Sequence, residues 1–356
     1  MQCNEGSRAK IHGIVLHLCT INSPSLYSQT MVRFTVLASG SRGNATVVSG
    51  GRTRILLDCG LSCRELFRRM RLVDEEPESL DAILITHEHS DHVGGLAVTA
   101  RKLNIPVYFT EGTHRAWMRW LSPRRQMSYV QWLEQMRKQA AERQAEADAT
   151  VEEGEPDESD LVEAAEAAEP AEAQEVPEPD KLNKAKDPTW LPAVEFFNAG
   201  EPFEIGDLSI SPFTTPHDAA DPVGFVFGAE GVRMGFATDL GYIPPNVKAQ
   251  LKGLDLLLLE SNHDLEMLRD GPYPWAVKQR VMSRVGHLSN EAAAGFLEDD
   301  YDGQAAYVIL AHLSESNNLP ELARVTAERA LNGRACLMAN RLLLAAQHEP
   351  LSSLYF

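Results

Sequence analysis

The sequence predicts a mixed α/β protein with a sheet-on-sheet core and outer helices, on three observations. Short β-type apolar runs alternate with helix-spaced runs along most of the chain. This alternation occurs twice, on either side of a long acidic stretch of different composition. Candidate metal ligands follow the apolar runs directly, as they do when loops build a site on a rigid scaffold. Two half-buried sheets with helices over their outer faces are the natural packing for this pattern.

Residues 1–30 show no clear period. They are expected to be a flexible extension, or upstream sequence read from a wrongly chosen start, because Met31 opens directly onto Val32-Arg33-Phe34-Thr35-Val36-Leu37. The first half of the domain is expected over 31–121. Within it, residues 33–37, 44–48 and 54–57 form short strands separated by glycine and polar turns. Residues 61–72 have helical spacing. Residues 83–86, 93–103 and 107–110 predict strand, helix, strand, and 111–121 a further helix.

An insertion is expected over 122–190. Residues 131–147 suit a solvated helix. Residues 152–179 are Glu, Ala and Pro with almost no large apolar side chains, too few to offset chain entropy, which predicts disorder or a frayed helix. The second half is expected over 191–356. Strands fall at 208–215, 223–228 and 232–237, with Ala229-Glu230-Gly231 as a hairpin turn. A buried strand follows at 254–259, helices at 275–285 and 291–298, a strand at 305–311 and a helix at 322–331.

With 356 residues, 44% of them apolar, the chain suffices for one large domain or two modest ones. The formal charge of −18 looks hostile to a polyanion, but residues 142–180 hold sixteen Asp/Glu and one Arg, a net of −15, leaving −3 elsewhere. The acidity therefore says little about the body of the protein. The acidic segment is expected to be a solvated insertion, with an arm for a basic protein partner as the alternative. Five scattered cysteines, an odd number without a second pair to complete a zinc ribbon, suit a reduced cytoplasmic chain. No stretch approaches the ~20 apolar residues of a membrane span. The run 11–21 is short and contains His12 and His17, unlike a signal peptide.

The most informative motif is His87-Glu88-His89-Ser90-Asp91-His92, four ligand-type side chains in six positions, directly after the buried run 80–85. Imidazole and carboxylate together suit zinc and its divalent neighbours. A single histidine is usually an ordinary core or surface residue, but this density at a strand end points to metal. Further candidate ligands end later apolar runs: His217 after 208–215, Asp239 after 234–238 and His312 after 307–311.

This set resembles the metallo-β-lactamase-fold hydrolases over 31–121 and 191–344. The resemblance implies a four-layered αββα sandwich and two divalent metal ions, zinc by its nitrogen-rich set or manganese. It assigns His87, His89 and His217 to one metal, and Asp91, His92 and His312 to the other, with Asp239 bridging. Asp58, in Leu56-Leu57-Asp58-Cys59-Gly60, would orient the ligand loop. Three longer runs are similar to the YycJ (WalJ/VicX) group of 5′-to-3′ DNA exonucleases: Leu37-Ala38-Ser39-Gly40-Ser41-Arg42-Gly43-Asn44, 216–224 from Pro216-His217-Asp218, and Ala311-His312-Leu313-Ser314-Glu315-Ser316-Asn317-Asn318. The chain departs from the pattern in its long insertion after Trp120 and at Cys59.

The implied activity is hydrolysis of phosphodiester bonds in DNA, or in RNA, by a hydroxide shared between two cations that lower a water's pKa toward ~7. Asp91, His287 and Asp58 are then the catalytic candidates. His287, in Gly286-His287-Leu288-Ser289-Asn290, resembles a histidine that donates to the scissile phosphate in the tRNase Z group. Ser289 is positioned to cap the next helix. Glu260 ends the run 256–259 and is a candidate to orient His287. Ser39, Ser41, Arg42 and Asn44, in a two-glycine turn, and Ser314 and Asn317 are candidate substrate contacts. Lys278, Arg280 and Arg284 either track a nucleic-acid backbone or form a solvated helical face. No aromatic-interleaved basic stripe is evident. His114, His263 and His348, like His12 and His17, have no matching partners. Two other readings stand beside the exonuclease: a small phosphodiesterase or RNA-processing nuclease of the same fold, and a non-enzymatic interaction protein working through its acidic arm.

Overall fold

Strand-forming segments in each half assemble mainly into a sheet of their own, and the two seven-stranded sheets share their apolar faces. The computed structural model describes residues 31–122, 187–332 and 341–356, which belong to a unit running from Met31 to Phe356. The expectations for residues 1–30 and for 123–186 of the acidic insertion lie outside the described residues.

In the first sheet, β1 (Arg33–Ala38), β2 (Ala45–Ser49) and β3 (Arg54–Leu57) form an antiparallel meander. Strands β4 (Ala82–Leu84), β5 (Val107–Phe109) and β6 (Val194–Phe196) extend it in parallel. In the second sheet, β7 (Phe203–Ile205), β8 (Leu208–Thr214), β9 (Val223–Ala229) and β10 (Val232–Ala237) form the meander. Strands β11 (Leu256–Glu260), β12 (Tyr307–Ala311) and β13 (Arg341–Leu344) continue in parallel. The last strand, β14 (Leu354–Tyr355), returns to pair with β1.

The sheet boundary therefore differs from the expected division at residue 191. Strand β6 lies beyond the insertion yet completes the first sheet, with Val107 opposite Val194, and β14 joins the same sheet from the far end of the chain. At three and two residues, both are too short to display a period.

Alternation along each strand builds the layers. Phe34, Val36, Ile55 and Leu57 face the shared core, where they meet Ile210, Phe225, Phe227, Met234 and Leu258. Leu37, Val47 and Leu56 face outward instead, against Leu66, Phe67 and Met70 of α1 (Cys63–Leu72), Leu96 and Ala100 of α3 (Leu96–Leu103) and Trp117 of α4 (Glu111–Leu121). On the other side, Ala237, Leu257, Leu259, Val308 and Leu310 pack against Val247 of α5 (Pro245–Gln250), Phe296 and Leu297 of α8 (Asn290–Asp299) and Ala323 and Ala327 of α9 (Pro320–Asn332). The result is helix, sheet, sheet, helix. Each fully buried large side chain contributes about 1.5–3 kcal/mol.

Two expected helices differ in extent. The segment 93–103 is split at Gly94-Gly95 into a single turn, α2 (Ser90–Val93), and α3. The helix expected over 275–285 ends at Val281 as α7 (Trp275–Val281), after a short α6 (Leu265–Asp270). Among the described residues, no helix is long and apolar enough to cross a membrane.

Candidate metal centre

The meander direction and the parallel additions turn the C-terminal ends of β3, β4, β8, β10, β11 and β12 toward one edge of the sandwich. Those ends carry Asp58, the run from His87 to His92, His217, Asp239, Glu260 and His312. Three of these residues hold left-handed backbone: Asp58, Asp239 and His312 have φ of 58°, 60° and 57°. Non-glycine residues adopt that region at a cost of order 1 kcal/mol or more, and such strain concentrates at functional sites. The turn after β3 needs glycine at position 60, where a Cβ would stand 1.7 Å from the Asp91 carbonyl oxygen. That close approach brings the β3 loop onto α2, and Cys59 N–H donates to the His92 carbonyl at 2.7 Å.

The side chains converge. His87, His89 and His217 each offer a ring nitrogen within 4.8 Å of the others, as do the ligand atoms of Asp91, His92 and His312, and those of His87, His92 and Asp239. His217 Nε2 is 3.2 Å from His89 Nδ1, and His312 Nε2 is 3.3 Å from Asp91 Oδ2. His92 Nε2 lies 3.4 Å from Asp91 Oδ2 and 3.5 Å from Asp239 Oδ2, so Asp239 stands between the two groups.

Second partners fix most of the rings. His92 Nδ1 donates to Asp58 Oδ2 at 2.7 Å, and Asp58 also accepts from the Thr86 hydroxyl and backbone N–H. His217 Nδ1 donates to the Gly286 carbonyl at 3.0 Å. His312 Nδ1 lies 3.2 Å from Glu260 Oε1, and Thr86 Oγ1 3.0 Å from His87 Nδ1. Each contact occupies Nδ1 and leaves Nε2 on the side of the cluster, the arrangement that metal-binding histidines share.

The residues fit a divalent metal by a further test. His87 Nε2 and Asp239 Oδ2 are buried without a hydrogen-bond partner. Buried polar atoms are rarely left so. A bound cation would satisfy both. The donors are nitrogen and oxygen, without the buried Cys59 or Cys63, which suits zinc-like or manganese-like ions.

Burial dominates the protonation of the site, and local charges then redirect it. Burial, with His92 next, pushes His87 well below the ordinary histidine value. Burial opposes charge on His92 as well, but Asp58, Asp91 and Asp239 outweigh it and hold His92 well above that value. Burial alone would raise Asp91, yet His92 and His312 hold it low. His287 lies next to this cluster, before α8, and Ser289 caps that helix by accepting from Ala292 N–H at 3.1 Å. Its Nδ1 donates to Glu260 Oε1 at 2.7 Å. Burial depresses His287, but the Glu260 carboxylate overrides it and raises the imidazole above its usual value.

A cleft of about 320 Å³ opens over the cluster, lined by His89, Asp91, Asp239, His287 and His312 together with Ser41, Tyr273, Arg280, Ser314 and Asn317. Three of the proposed substrate contacts, Ser41, Ser314 and Asn317, thus line the cleft. Arg42 is largely exposed and pairs with Glu315 at 2.6 Å. Ser39 and Asn44 face inward instead. The Ser39 hydroxyl accepts from His312 N–H at 2.8 Å. Asn44 Nδ2 contacts Asp91 Oδ2 at 3.2 Å and His92 Nε2 at 3.0 Å. Both therefore position ligand residues rather than meet substrate, because the two-glycine turn folds under the ligand loop. Lys278 is also turned in and donates to the Arg269 carbonyl at 2.6 Å.

Sequence reasoning missed Thr86, which bridges Asp58, His87 and His92, and Glu88, which accepts from Ala220 N–H at 2.9 Å and ties the His89 turn to the His217 loop. Their signal was only adjacency to His87. The unassigned histidines lie elsewhere: His114 among Phe109, Trp117 and Phe196, His348 on Glu315, and His263 buried beside Ser289. His12 and His17 fall outside the described residues.

The sequence matches the metallo-beta-lactamase superfamily over residues 38–277, most of the described domain. The chain belongs to the metallo-β-lactamase superfamily. Within the superfamily, it is similar to exodeoxyribonuclease YycJ of Bacillus anthracis, 31% identical over 300 residues that span 84% of this chain and 89% of that protein. It is also similar to exodeoxyribonuclease WalJ of Streptococcus pneumoniae, 30% identical over 299 residues, 84% of this chain and 88% of that one. The metallo-beta-lactamase fold protein YhfI from Bacillus subtilis shares the fold, with a TM-score of 0.52, 14% identity and coverage of 90% of this chain and 99% of that chain. For a superfamily member, the αββα layers and a ligand-bearing sheet edge are the expected frame for a metal-dependent hydrolase.

Proposed function

We propose that this superfamily member is a metal-dependent nuclease that hydrolyses DNA phosphodiester bonds from the 5′ end, in the cytoplasm. The observation that carries the reading is the His287–Glu260 pair beside the convergent His/Asp cluster in an open cleft. Its likeness to two exodeoxyribonucleases over more than four-fifths of the chain supports the same substrate class.

His87, His89 and His217 would hold one cation, Asp91, His92 and His312 a second, and Asp239 both. When bound, such a pair lowers the pKa of water and neutralises charge on phosphoryl oxygens. Zinc suits the nitrogen-rich first set, and manganese the mixed second. The chain's own residues do the rest. Asp58 and Thr86 lock the His92 ring, and Glu260 locks His312 and His287. Because Glu260 favours the imidazolium, His287 holds a proton at Nε2 for the departing 3′-oxygen, the role of a general acid. Ser41, Ser314 and Asn317 line the cleft where phosphate oxygens would pass.

The test is metal analysis of purified protein with digestion of 5′- and 3′-labelled DNA and RNA, single- and double-stranded. Release of nucleotides from the 5′ end of DNA is the expected result. Cleavage of bis-nitrophenyl phosphate alone would point to a small phosphodiesterase. Deleting 142–180 is expected to leave cleavage measurable, whereas His89→Ala abolishes it and lowers metal content. The reverse outcome would favour an interaction protein acting through its acidic arm.

A further inference from the structure

The segment 271–285 forms part of the rim of the cleft, and its surface chemistry differs from the rest of the molecule. Four of the fifteen exposed large apolar side chains among the described residues fall here: Trp275, Val277, Met282 and Val285. Trp275 is 62% exposed, on the first turn of α7. Several large apolar side chains exposed within one short segment are a mark of a binding surface. In a chain of net charge −18, residues 272–285 contain no Asp or Glu and three cations. Lys278 is turned inward, but Arg280 lines the cleft and Arg284 is exposed, its guanidinium 4.3 Å over the Tyr242 ring.

The segment is anchored to the metal centre. Val285 carbonyl accepts from Asp218 N–H at 3.0 Å, and Gly286 carbonyl accepts from the ligand His217. A Cβ at Gly286 would stand 2.1 Å from the Val281 carbonyl oxygen, so the turn between α7 and His287 is tightly closed. Arg280 also donates to Asp218, the residue after His217. Tyr273 lines the cleft two residues before Trp275, which places the two backbones within about 7 Å. Arg280 follows Trp275 by roughly 7.5 Å along the helix axis.

We infer that segment 271–285 is a stacking platform for an unpaired nucleic-acid strand, with Tyr273 and Trp275 holding bases and Arg280 holding phosphate beside His287. The inference rests on the nuclease reading and sharpens it, since a platform of this kind selects a single-stranded or frayed end over blunt duplex. An aromatic face next to a guanidinium is how single strands are held without sequence preference, because every base has a π-face and every link a phosphate. The lack of carboxylates within 272–285 and its continuity with the catalytic cleft favour this occupant over a protein partner. Because internal base pairs are stacked on both faces, intact duplex offers the two rings only its terminal pair, whereas a single strand can offer each ring a base.

The test measures binding apart from catalysis. A short fluorescein-labelled single-stranded DNA is titrated into the full-length protein in EDTA, with fluorescence anisotropy as the readout. Trp275→Ala is expected to weaken binding roughly five- to hundredfold, as loss of one stacked base does. An abasic strand, which loses both stacked bases, should bind the wild type more weakly than the intact strand binds Trp275→Ala, and Trp275→Ala should weaken the abasic strand no further. Arg280→Gln should weaken intact and abasic strands alike and flatten the salt dependence. The inference is overturned if Trp275→Ala binds the intact strand like wild type, if it loses equally on the abasic strand, or if light scattering shows that it dissolves a dimer. Circular dichroism and thermal melting exclude misfolding, which the exposure of Trp275 already opposes. If wild type binds the strand tightly yet never cleaves it with zinc or manganese restored, the nuclease reading fails while the platform stands.

Discussion

The two sheets deliver their candidate ligands in opposite ways. The first sheet places His87, His89, Asp91 and His92 on one turn after β4, whereas the second sends His217, Asp239 and His312 from the ends of three separate strands. In the first, relative positions are set by local covalent geometry and by a glycine-tight turn. In the second they are set by sheet register, with Phe236 beside Leu258 and Leu258 beside Ile309. Each side has a carboxylate brace: Asp58 for His92, and Glu260 for His312 and His287. A compact motif can therefore preserve one set of ligands even when the other is disturbed, while Asp239 couples the two.

The sharpest way to break this comparison is to remove the shared residue. Asp239→Ala is expected to abolish cleavage and strip metal from both groups, while His89→Ala abolishes cleavage but leaves Asp91, His92 and His312 able to retain an ion. Elemental analysis distinguishes them, and full metal content in Asp239→Ala would refute the bridging position. The next effect belongs to His287, the proton donor proposed for the second sheet. His287→Ala should lower kcat by about 10²–10⁴-fold with metal content unchanged. Glu260 raises the His287 pKa, so the acid is present at low pH and lost as pH climbs through that raised value. Glu260→Gln should shift the alkaline fall of the rate profile to lower pH.

Comparing the braces comes next. Asp58→Asn and Glu260→Gln are each expected to weaken metal affinity by about 10–100-fold, measured by chelator competition. Only Glu260→Gln should also move the pH profile, because only Glu260 touches His287. Gly60→Ala tests the local turn of the first sheet. With its Cβ 1.7 Å from the Asp91 carbonyl oxygen, it should lower stability by about 1–3 kcal/mol or more in a denaturant melt. The smallest effect is at Arg42, whose exposed pair with Glu315 should change stability by less than about 1 kcal/mol. A rise in KM at constant kcat for Arg42→Ala would show that this side chain also meets substrate.

Which residues were legible from sequence follows from the same contrast. The run from His87 to His92 announced itself because its ligands are neighbours in the chain, and His217, Asp239 and His312 were visible because each ends an apolar run. The inward roles of Ser39 and Asn44 were hidden, since a Ser-Gly-Ser-Arg-Gly-Asn turn looks the same whether it faces solvent or lies under a ligand loop. Lys278 was hidden too, because one carbonyl, that of Arg269, turns it from a solvated cation into an anchored one. The cations of 271–285 were visible in the sequence, but the exposed aromatics beside them were not, because Tyr273 and Trp275 form no repeat and their place at the cleft is set by the fold.

Residue pattern alone determined the layer order, the strand ends and which metal-donor side chains stand at them, because side-chain period and donor chemistry are local properties. Only the tertiary structure decided that β6 and β14 complete the first sheet, that Asp239 stands between two ligand groups, and that Thr86 and Glu260 brace the rings. Those outcomes depend on contacts between residues far apart in the chain, such as Glu260 with His312, which close only when the two sheets share one apolar core.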